Sequence, residues 1–264
     1  MTRVPVCNSC WQNLPQQSGL LCATCGESLG VSDFGERSDK ELLCRVCRLV
    51  PPAFERAFAH GLYRGTLRSL LHLLKYEGLE PLARRLGALM AAQLSGLADL
   101  PAKMLVVPVP LFRAKRRQRG FNQAELLADG LLEAMRRIRP DWEGDPAARV
   151  LARQRATESQ AGLSLSRRQR NLRGAFFVPN AELVRGRDVL LIDDVYTTGA
   201  TARACSQALK RAGAARVWVA TVARAQRHEI ELRGPKAVLD GARGKPGQED
   251  YGEVALWDAG NTVQ

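Results

Sequence analysis

The sequence predicts an α/β protein, a parallel sheet flanked by helices, preceded by a small cysteine-rich module. Three observations carry this. Two apolar runs, MLVVPVP at 104–110 and VLLID at 189–193, each lead through a polar turn into a segment of helical periodicity. The helix after VLLID is followed by RVWVATVA at 216–223, which completes a strand–helix–strand unit of a parallel sheet. Six of the seven cysteines fall before residue 50, in C-x-x-C pairs. The chain divides accordingly into a cysteine-rich module over 1–50, a main domain over 51–224 and an appended tail over 225–264.

The cysteine pairs are Cys7/Cys10, Cys22/Cys25 and Cys44/Cys47. Each pair places two thiolates on one tight turn, and two pairs complete a tetrahedral zinc site. CATC and CRVC are separated by eighteen residues, within the range of a zinc ribbon. Cys22, Cys25, Cys44 and Cys47 are therefore the expected ligands, with Cys7/Cys10 an alternative partner for Cys22/Cys25. Such a segment is too poor in apolar residues to fold alone, so the metal supplies folding free energy.

In the main domain, PPAFERAFAHGLYRG leads into a strand or turn. LRSLLHLLKYEG has helical spacing, with Leu67, Leu70, Leu71 and Leu74 on one face, and His72 between them reads as a surface or packed histidine. MLVVPVP reads as a buried strand ending in prolines, and meets RAKRRQR, five basic residues in the seven positions from Arg113 to Arg119. Asn122 and Glu125 have capping-box spacing at the start of a helix whose inner face is Ala124, Leu127, Ala128, Leu131 and Met135. Residues 149–174 are polar, basic and weakly periodic, which fits either a solvated helix pair or a mobile lid over an anionic ligand. The helix after VLLID turns Cys205, Ala208, Leu209 and Ala212 inward and ends at Gly213, so Cys205 is a small core residue. The tail after 224 is rich in glycine and charge, the composition of a partly disordered appendage.

The stretch VLLIDDVYTTGAT at 189–201 carries the chemistry. Asp193 and Asp194 are costly to bury unpaired, so a core gains nothing from them. At the carboxyl end of a parallel strand they face the place where ligands bind. The hydroxyls of Thr197, Thr198 and Thr201, with backbone N–H groups around Gly199 and Ala200, surround a phosphate at the helix N-terminus. The carboxylates repel phosphate but accept hydrogen bonds from vicinal hydroxyls, or hold Mg²⁺ through water. Together they imply a sugar phosphate with free hydroxyls. No G-x-x-x-x-G-K-[ST] loop is present, and no G-x-G-x-x-G follows a suitable strand.

VLLIDDVYTTGAT resembles, at every position, the phosphoribosyl diphosphate (PRPP) loop of type I phosphoribosyltransferases. YRGTLRSLLHLLKY, VPVPLFRAKRRQRGFNQAELLA and RATESQAGLSLSRRQRNLRGAF look like the ordered blocks of the ComF (GntX-like) family, and the likeness runs from residue 7 to about 224. The resemblance implies that Asp193 and Asp194 contact the ribose hydroxyls and that Thr197 through Thr201 bind the 5-phosphate. It implies Mg²⁺ on the diphosphate, structural zinc in the ribbon, and transfer of phosphoribose to a nitrogen acceptor. The turn at Pro108, Val109 and Pro110 looks like the pyrophosphate loop, with Arg113, Arg116 and Arg119 as further diphosphate contacts. Arg155, Arg170 and Arg173 would belong to the lid. Many relatives have a fourth C-x-x-C pair, which this chain lacks; its 25–44 loop is long, and its tail lies outside the match.

The family also brings natural transformation into view, with single-stranded DNA and competence-machinery proteins as partners. The alternative to a transferase is a non-catalytic factor that handles single-stranded DNA and uses the PRPP site as a sensor. A net charge of +12 fits polyanionic ligands of either kind. The hydrophobic share of 45% and charged share of 25% are those of a soluble globular protein. The start MTRVPVCNSCWQ lacks the apolar core of a signal peptide, and LGALMAAQLSGLA at 86–98 is too short to span a bilayer, so a cytoplasmic location is expected.

Overall fold

The computed structural model describes residues 6–30, 42–154 and 174–226. Lid residues Arg155, Arg170 and Arg173, and the tail from 227 onward, lie outside the described residues. Among the described residues, no helix is long and apolar enough to cross a membrane.

The chain begins with two short helices, α1 (Asn8–Gln12) and α2 (Arg45–Leu49), that flank the cysteine-rich turns. The main domain follows in the order β1 (Arg56–Leu62), α3 (Gly65–Tyr76), α4 (Pro81–Ser95), β2 (Lys103–Pro108), α5 (Arg113–Arg119), α6 (Gln123–Ile138) and β3 (Glu143–Pro146). It closes with β4 (Ala152–Arg153), β5 (Phe176–Phe177), β6 (Asp188–Tyr196), α7 (Ala200–Arg211) and β7 (Arg216–Arg224). Five strands form one sheet in the order β1-β7-β6-β2-β3, and every pairing in it is parallel. β4 and β5 form a separate antiparallel pair.

The central strands are apolar on both faces because both faces are covered. On one side lie α3, α4 and α6. Leu67, Leu70, Leu71 and Leu74 of α3 are buried, as are Ala124, Leu127, Ala128, Leu131 and Met135 of α6, matching the inner faces that periodicity assigns them. α4 fills the remaining space, and a Cβ on its Gly87 would stand 2.6 Å from Leu127 O, so only glycine lets α4 and α6 come this close. On the other side lie α7 and the cysteine cluster, packed with Val189, Leu191 and Val219 in one core. The cysteine-rich segment is built into this layer: Ala57 N–H donates to Thr24 O at 2.7 Å and Leu62 N–H to Pro15 O at 2.8 Å. Trp11 and Leu14 join the core on the opposite face.

Two local expectations change. The strand begun by VLLID continues to Tyr196, so the aspartates stand inside β6 rather than at its last residue. Asn122 caps α6 by accepting from Ala124 N–H at 3.1 Å, but the box does not close. Glu125 turns its carboxylate to Arg116, at 2.8 and 2.9 Å, because a bidentate guanidinium is the stronger partner.

Candidate functional site

The sheet order creates a topological switch. From β2 the chain leaves through α5 and α6 to β3 on one side; from β6 it leaves through α7 to β7 on the other. β2 and β6 are neighbours, with Pro108 opposite Ile192 and Val109 N–H donating to Ile192 O at 2.8 Å. Their connections diverge and open a crevice at the carboxyl ends of the strands, where open α/β sheets bind ligands.

Strand alternation sends Asp193 and Asp194 in different directions. Asp193 lines a shallow recess, partly open to solvent, together with Val109, Thr197, Gly199, Ala200 and Thr201. Asp194 points to the α3 side and forms an ion pair with Lys75, their side chains 7% and 16% exposed. Burial, and then the neighbouring Asp194, push the Asp193 carboxyl well above the usual range. Burial acts against the charge of Asp194 as well, but Lys75 overrides it and holds that carboxyl below its ordinary value. In return Asp194 overcomes the burial of Lys75 and raises its ammonium. Two adjacent residues of one type thus take different protonation behaviour: Asp194 is held ionised, whereas Asp193 ionises readily only when something in the recess stabilises its charge.

The threonine turn is shaped by Gly199, which caps α7 at φ +77°. A Cβ there would stand 2.2 Å from Tyr196 Oη, so both the backbone angle and the packing require glycine. Thr197 and Thr201 face the recess. Thr198 is buried, and its Oγ1 accepts from Ala200 N–H at 3.4 Å, so its hydroxyl supports the turn from inside. Gly199 gives α7 no side-chain cap, and Ala200 and Thr201 of its first turn line the recess.

Among the Pro108–Pro110 turn, Val109 lines the recess and its carbonyl accepts from Asn122 Nδ2 at 3.1 Å. Arg113 is exposed at the start of α5, Arg116 is tied to Glu125, and Arg119 bonds Gln123 at 2.5 Å while standing 5.4 Å above the Tyr76 ring. Lys115, from the basic run, and Arg153, which the sequence did not single out, join the same region. Loss of solvent, then the charges of Arg119, Arg153 and Lys75, lower the Lys115 ammonium. Burial likewise lowers the Arg153 guanidinium, against the opposing pull of Cys205 and Asp193. These cations crowd one another around the crevice, an arrangement that favours an anion between them.

Cys22, Cys25, Cys44 and Cys47 are all buried, and their sulfurs lie within 4.8 Å of one another. Cys25 Sγ and Cys44 Sγ are 3.7 Å apart, close to the edge of about 3.8 Å that four thiolates take around zinc. Four convergent sulfurs are placed to hold a metal ion and leave no open position. Cys7 and Cys10 are not part of this cluster; Cys7 Sγ instead caps α1, accepting from Cys10 N–H at 3.4 Å. Two buried arginines reach the cluster from the main domain. Arg203 Nη2 stands 3.8 Å from Cys47 Sγ, and Arg224 Nη2 stands 3.6 Å from Cys25 Sγ. Neither was recognisable in the sequence, where Arg203 is one polar residue of α7 and Arg224 ends an apolar strand.

Comparison with known proteins follows the same lines. Residues 85–243 match the phosphoribosyl transferase domain family. The DNA utilization protein YhgH of Escherichia coli K12 is 33% identical over 221 residues, covering 81% of this chain and 88% of that protein. Competence protein F of Haemophilus influenzae is 28% identical over 229 residues, covering 83% and 96%. The competence protein ComFC of Bacillus subtilis is 26% identical over 217 residues, covering 80% of each chain. With its parallel sheet, its switch-point crevice and a buried four-cysteine cluster, the chain belongs to the phosphoribosyl transferase domain family, in the branch whose members are named for competence and DNA utilization.

Proposed function

We propose that the protein binds PRPP at the crevice between β2 and β6 and transfers its phosphoribosyl group to a nitrogen nucleophile. The observation that carries this reading is the recess itself, which sets the buried carboxyl of Asp193, held well above the usual range until something stabilises its charge, beside the start of α7 and two threonine hydroxyls. The helix start and the hydroxyls of Thr197 and Thr201 take the 5-phosphate. Asp193 accepts from the ribose hydroxyls, and Asp194, held by Lys75, keeps that segment of β6 in place. The 109–112 turn, with Lys115, Arg119 and Arg153, takes the diphosphate; Arg113 lies at its rim.

In the reaction the bond from the anomeric carbon to the diphosphate oxygen breaks, and diphosphate leaves with the electron pair. A bond from the acceptor nitrogen to that carbon forms, and the nitrogen gives up its proton. The developing positive charge on the ribose is stabilised by negative charge in a site with little water. As it grows it favours the ionised form of Asp193, whose carboxyl burial otherwise holds toward the neutral form at the edge of a packed core. Mg²⁺, for which Asp193 and the diphosphate are suitable oxygen donors, would neutralise leaving-group charge. The four-cysteine cluster fits structural zinc.

The test is calorimetric titration of PRPP with Mg²⁺ into the zinc-loaded protein and its Asp193→Asn variant, followed by pyrophosphate release with candidate amines and bases. Binding by the wild type, weakened tenfold or more in the variant, is expected. A folded, zinc-loaded wild type that takes up no PRPP would overturn the reading.

A second reading is favoured by α5, which exposes Arg113, Lys115 and Arg117 on seven residues. Such a cationic helix is able to grip the phosphates of single-stranded DNA without reading sequence, as the names of the relatives invite. Competence-machinery proteins would then be partners. Salt-dependent DNA binding that persists in Asp193→Asn, without pyrophosphate release by the wild type, would favour it.

A further inference from the structure

The cysteine cluster and the threonine turn are joined at both ends of the turn by buried arginines. We infer that Arg203 and Arg224 are positioning residues that link metal in the cysteine cluster to the shape of the phosphate turn, so that metal and phosphoribosyl ligand bind cooperatively. The inference rests on the phosphoribosyl-ligand reading above.

One arm runs through Arg224, 1% exposed at the end of β7. Its guanidinium donates to Cys25 O, approaches Cys25 Sγ at 3.6 Å and pairs with Glu27 at 2.6 Å. The same group lies over the Tyr196 ring, 4.3 Å from its centroid. Tyr196 is the last residue of β6, and its hydroxyl occupies the space that a side chain at Gly199 would need. The ring therefore sets how closely the turn packs against the sheet. The other arm runs through Arg203, 8% exposed in the first turn of α7. It donates to Val50 O at 2.7 Å and reaches Cys47 Sγ at 3.8 Å. Cys25 and Cys47 belong to different C-x-x-C turns, so one ion bound to both fixes the acceptors of both arms together. With the metal bound, each sulfur is an anionic acceptor, and a hydrogen bond from a guanidinium to such a group is of the stronger, charge-assisted kind. Tyr196 and Arg203 bracket Thr197 to Thr201 in sequence, so the turn is held from either side by contacts that converge on one ion.

Linkage makes this testable in both directions: whatever the metal adds to ligand affinity, the ligand must add to metal affinity. The full-length protein is loaded with zinc, and its zinc affinity is measured by equilibrium competition with a chromophoric chelator. Mg²⁺ is held constant, and PRPP is absent or saturating. Asp193→Asn serves as the baseline for zinc captured by PRPP itself. Calorimetry on the same samples reports whether PRPP is bound. The expected result is zinc affinity tightened about fivefold or more by PRPP in the wild type, the range of an ordinary allosteric coupling. Arg203→Gln keeps a donor for Val50 O but gives up the reach to Cys47, and Arg224→Gln tests the other arm. In each, checked for folding by circular dichroism, the ratio is expected to fall toward one, which a purely structural role would not cause. Equal zinc affinity with and without bound PRPP overturns the coupling and leaves the ligand reading standing. A full ratio in both arginine variants overturns the assignment to these residues. No calorimetric binding of PRPP by the wild type overturns the ligand reading and the coupling with it.

Discussion

Lys75 and Asp194 form an ion pair on the α3 side of β6, with Asp193 directed to the recess on the other side. The pair is almost closed to solvent, so neither member is replaceable alone. Lys75→Met leaves Asp194 as a buried, uncompensated carboxylate and is expected to cost about 3–5 kcal/mol. Lys75→Met combined with Asp194→Asn should recover much of that loss, because both charges are gone. Denaturant unfolding of the two single variants and the double variant closes the cycle; additive losses would mean that the pair is not coupled.

Asp193 should limit stability rather than support it. Its folded pKa is raised above the unfolded value, so the stabilising contribution is complete below the unfolded pKa of about 4 and is lost as pH rises through the folded pKa. Asp193→Asn escapes that loss. At neutral pH the ligand-free variant is expected to be more stable than the wild type by about 1–2 kcal/mol, with the advantage shrinking as pH falls toward 4. Thermal melts at pH 4.5 and 7.5 measure it, and a variant less stable at both would contradict the raised pKa.

Asp194 has the opposite sign. Its folded pKa is lowered, so its contribution is complete above the unfolded carboxylate value and disappears as pH falls through the folded one. Asp194→Asn should therefore be destabilising at neutral pH and progressively less so in acid. Melts at pH 7.5 and at a series of pH values below about 4 measure it; a deficit that does not shrink in acid would contradict the lowered pKa.

Gly199→Ala strains the turn twice, through φ +77° and through the Tyr196 hydroxyl. A loss of about 2 kcal/mol or more is expected, with PRPP affinity reduced alongside it. Pairing the change with Tyr196→Leu, which removes the hydroxyl and ring atoms that would lie 2.2, 2.5 and 2.9 Å from that Cβ, should make the two losses less than additive in melts. Fully additive losses would place the strain in the backbone alone.

The basic residues should separate by partner. Arg119→Ala and Arg153→Ala are expected to weaken PRPP binding about tenfold, the worth of a hydrogen bond to a charged group. Arg116→Ala should stay within about twofold, because Glu125 already holds that guanidinium. Calorimetric titration of the three variants decides it; equal losses would mean that only net charge matters.

Metal content offers the simplest check. Cys47→Ser, or chelation of the wild type, should remove the bound metal and lower the melting temperature, since metal binding is part of the folding free energy. Cys7→Ser and Cys10→Ser should retain it, measured by elemental analysis of the purified chains. Loss of metal in the Cys7 or Cys10 variant would bring that pair into the cluster.

Much of this was legible in local pattern. The leucines of α3 and the inner face of α6 follow from period alone, because one covered face is enough to fix a helix. α4 was less legible: its stretch reads as a generally apolar run with small residues, and the reason for Gly87 lies in the backbone of α6. Lys75 gave no signal, since a lysine near the end of an amphipathic helix ordinarily faces water. Arg153, Arg203 and Arg224 were hidden for the same reason: their burial depends on anions and sulfurs that lie far away in sequence.

By itself the sequence determined the parallel α/β class, a four-cysteine metal site drawn from three C-x-x-C pairs, and the aspartate–threonine segment that leads from an apolar strand into a helix. Each of these is written within a few residues, because helix and strand periods, chelating turns and phosphate turns are local geometries. Only the tertiary structure decided that Asp194 pairs with Lys75 while Asp193 faces the recess, that Cys7 and Cys10 stand aside, and that two buried arginines reach the cysteine cluster from the main domain. Those outcomes depend on which distant charges share a low-dielectric interior, and electrostatic partnership there is set by distance in space rather than by position along the chain.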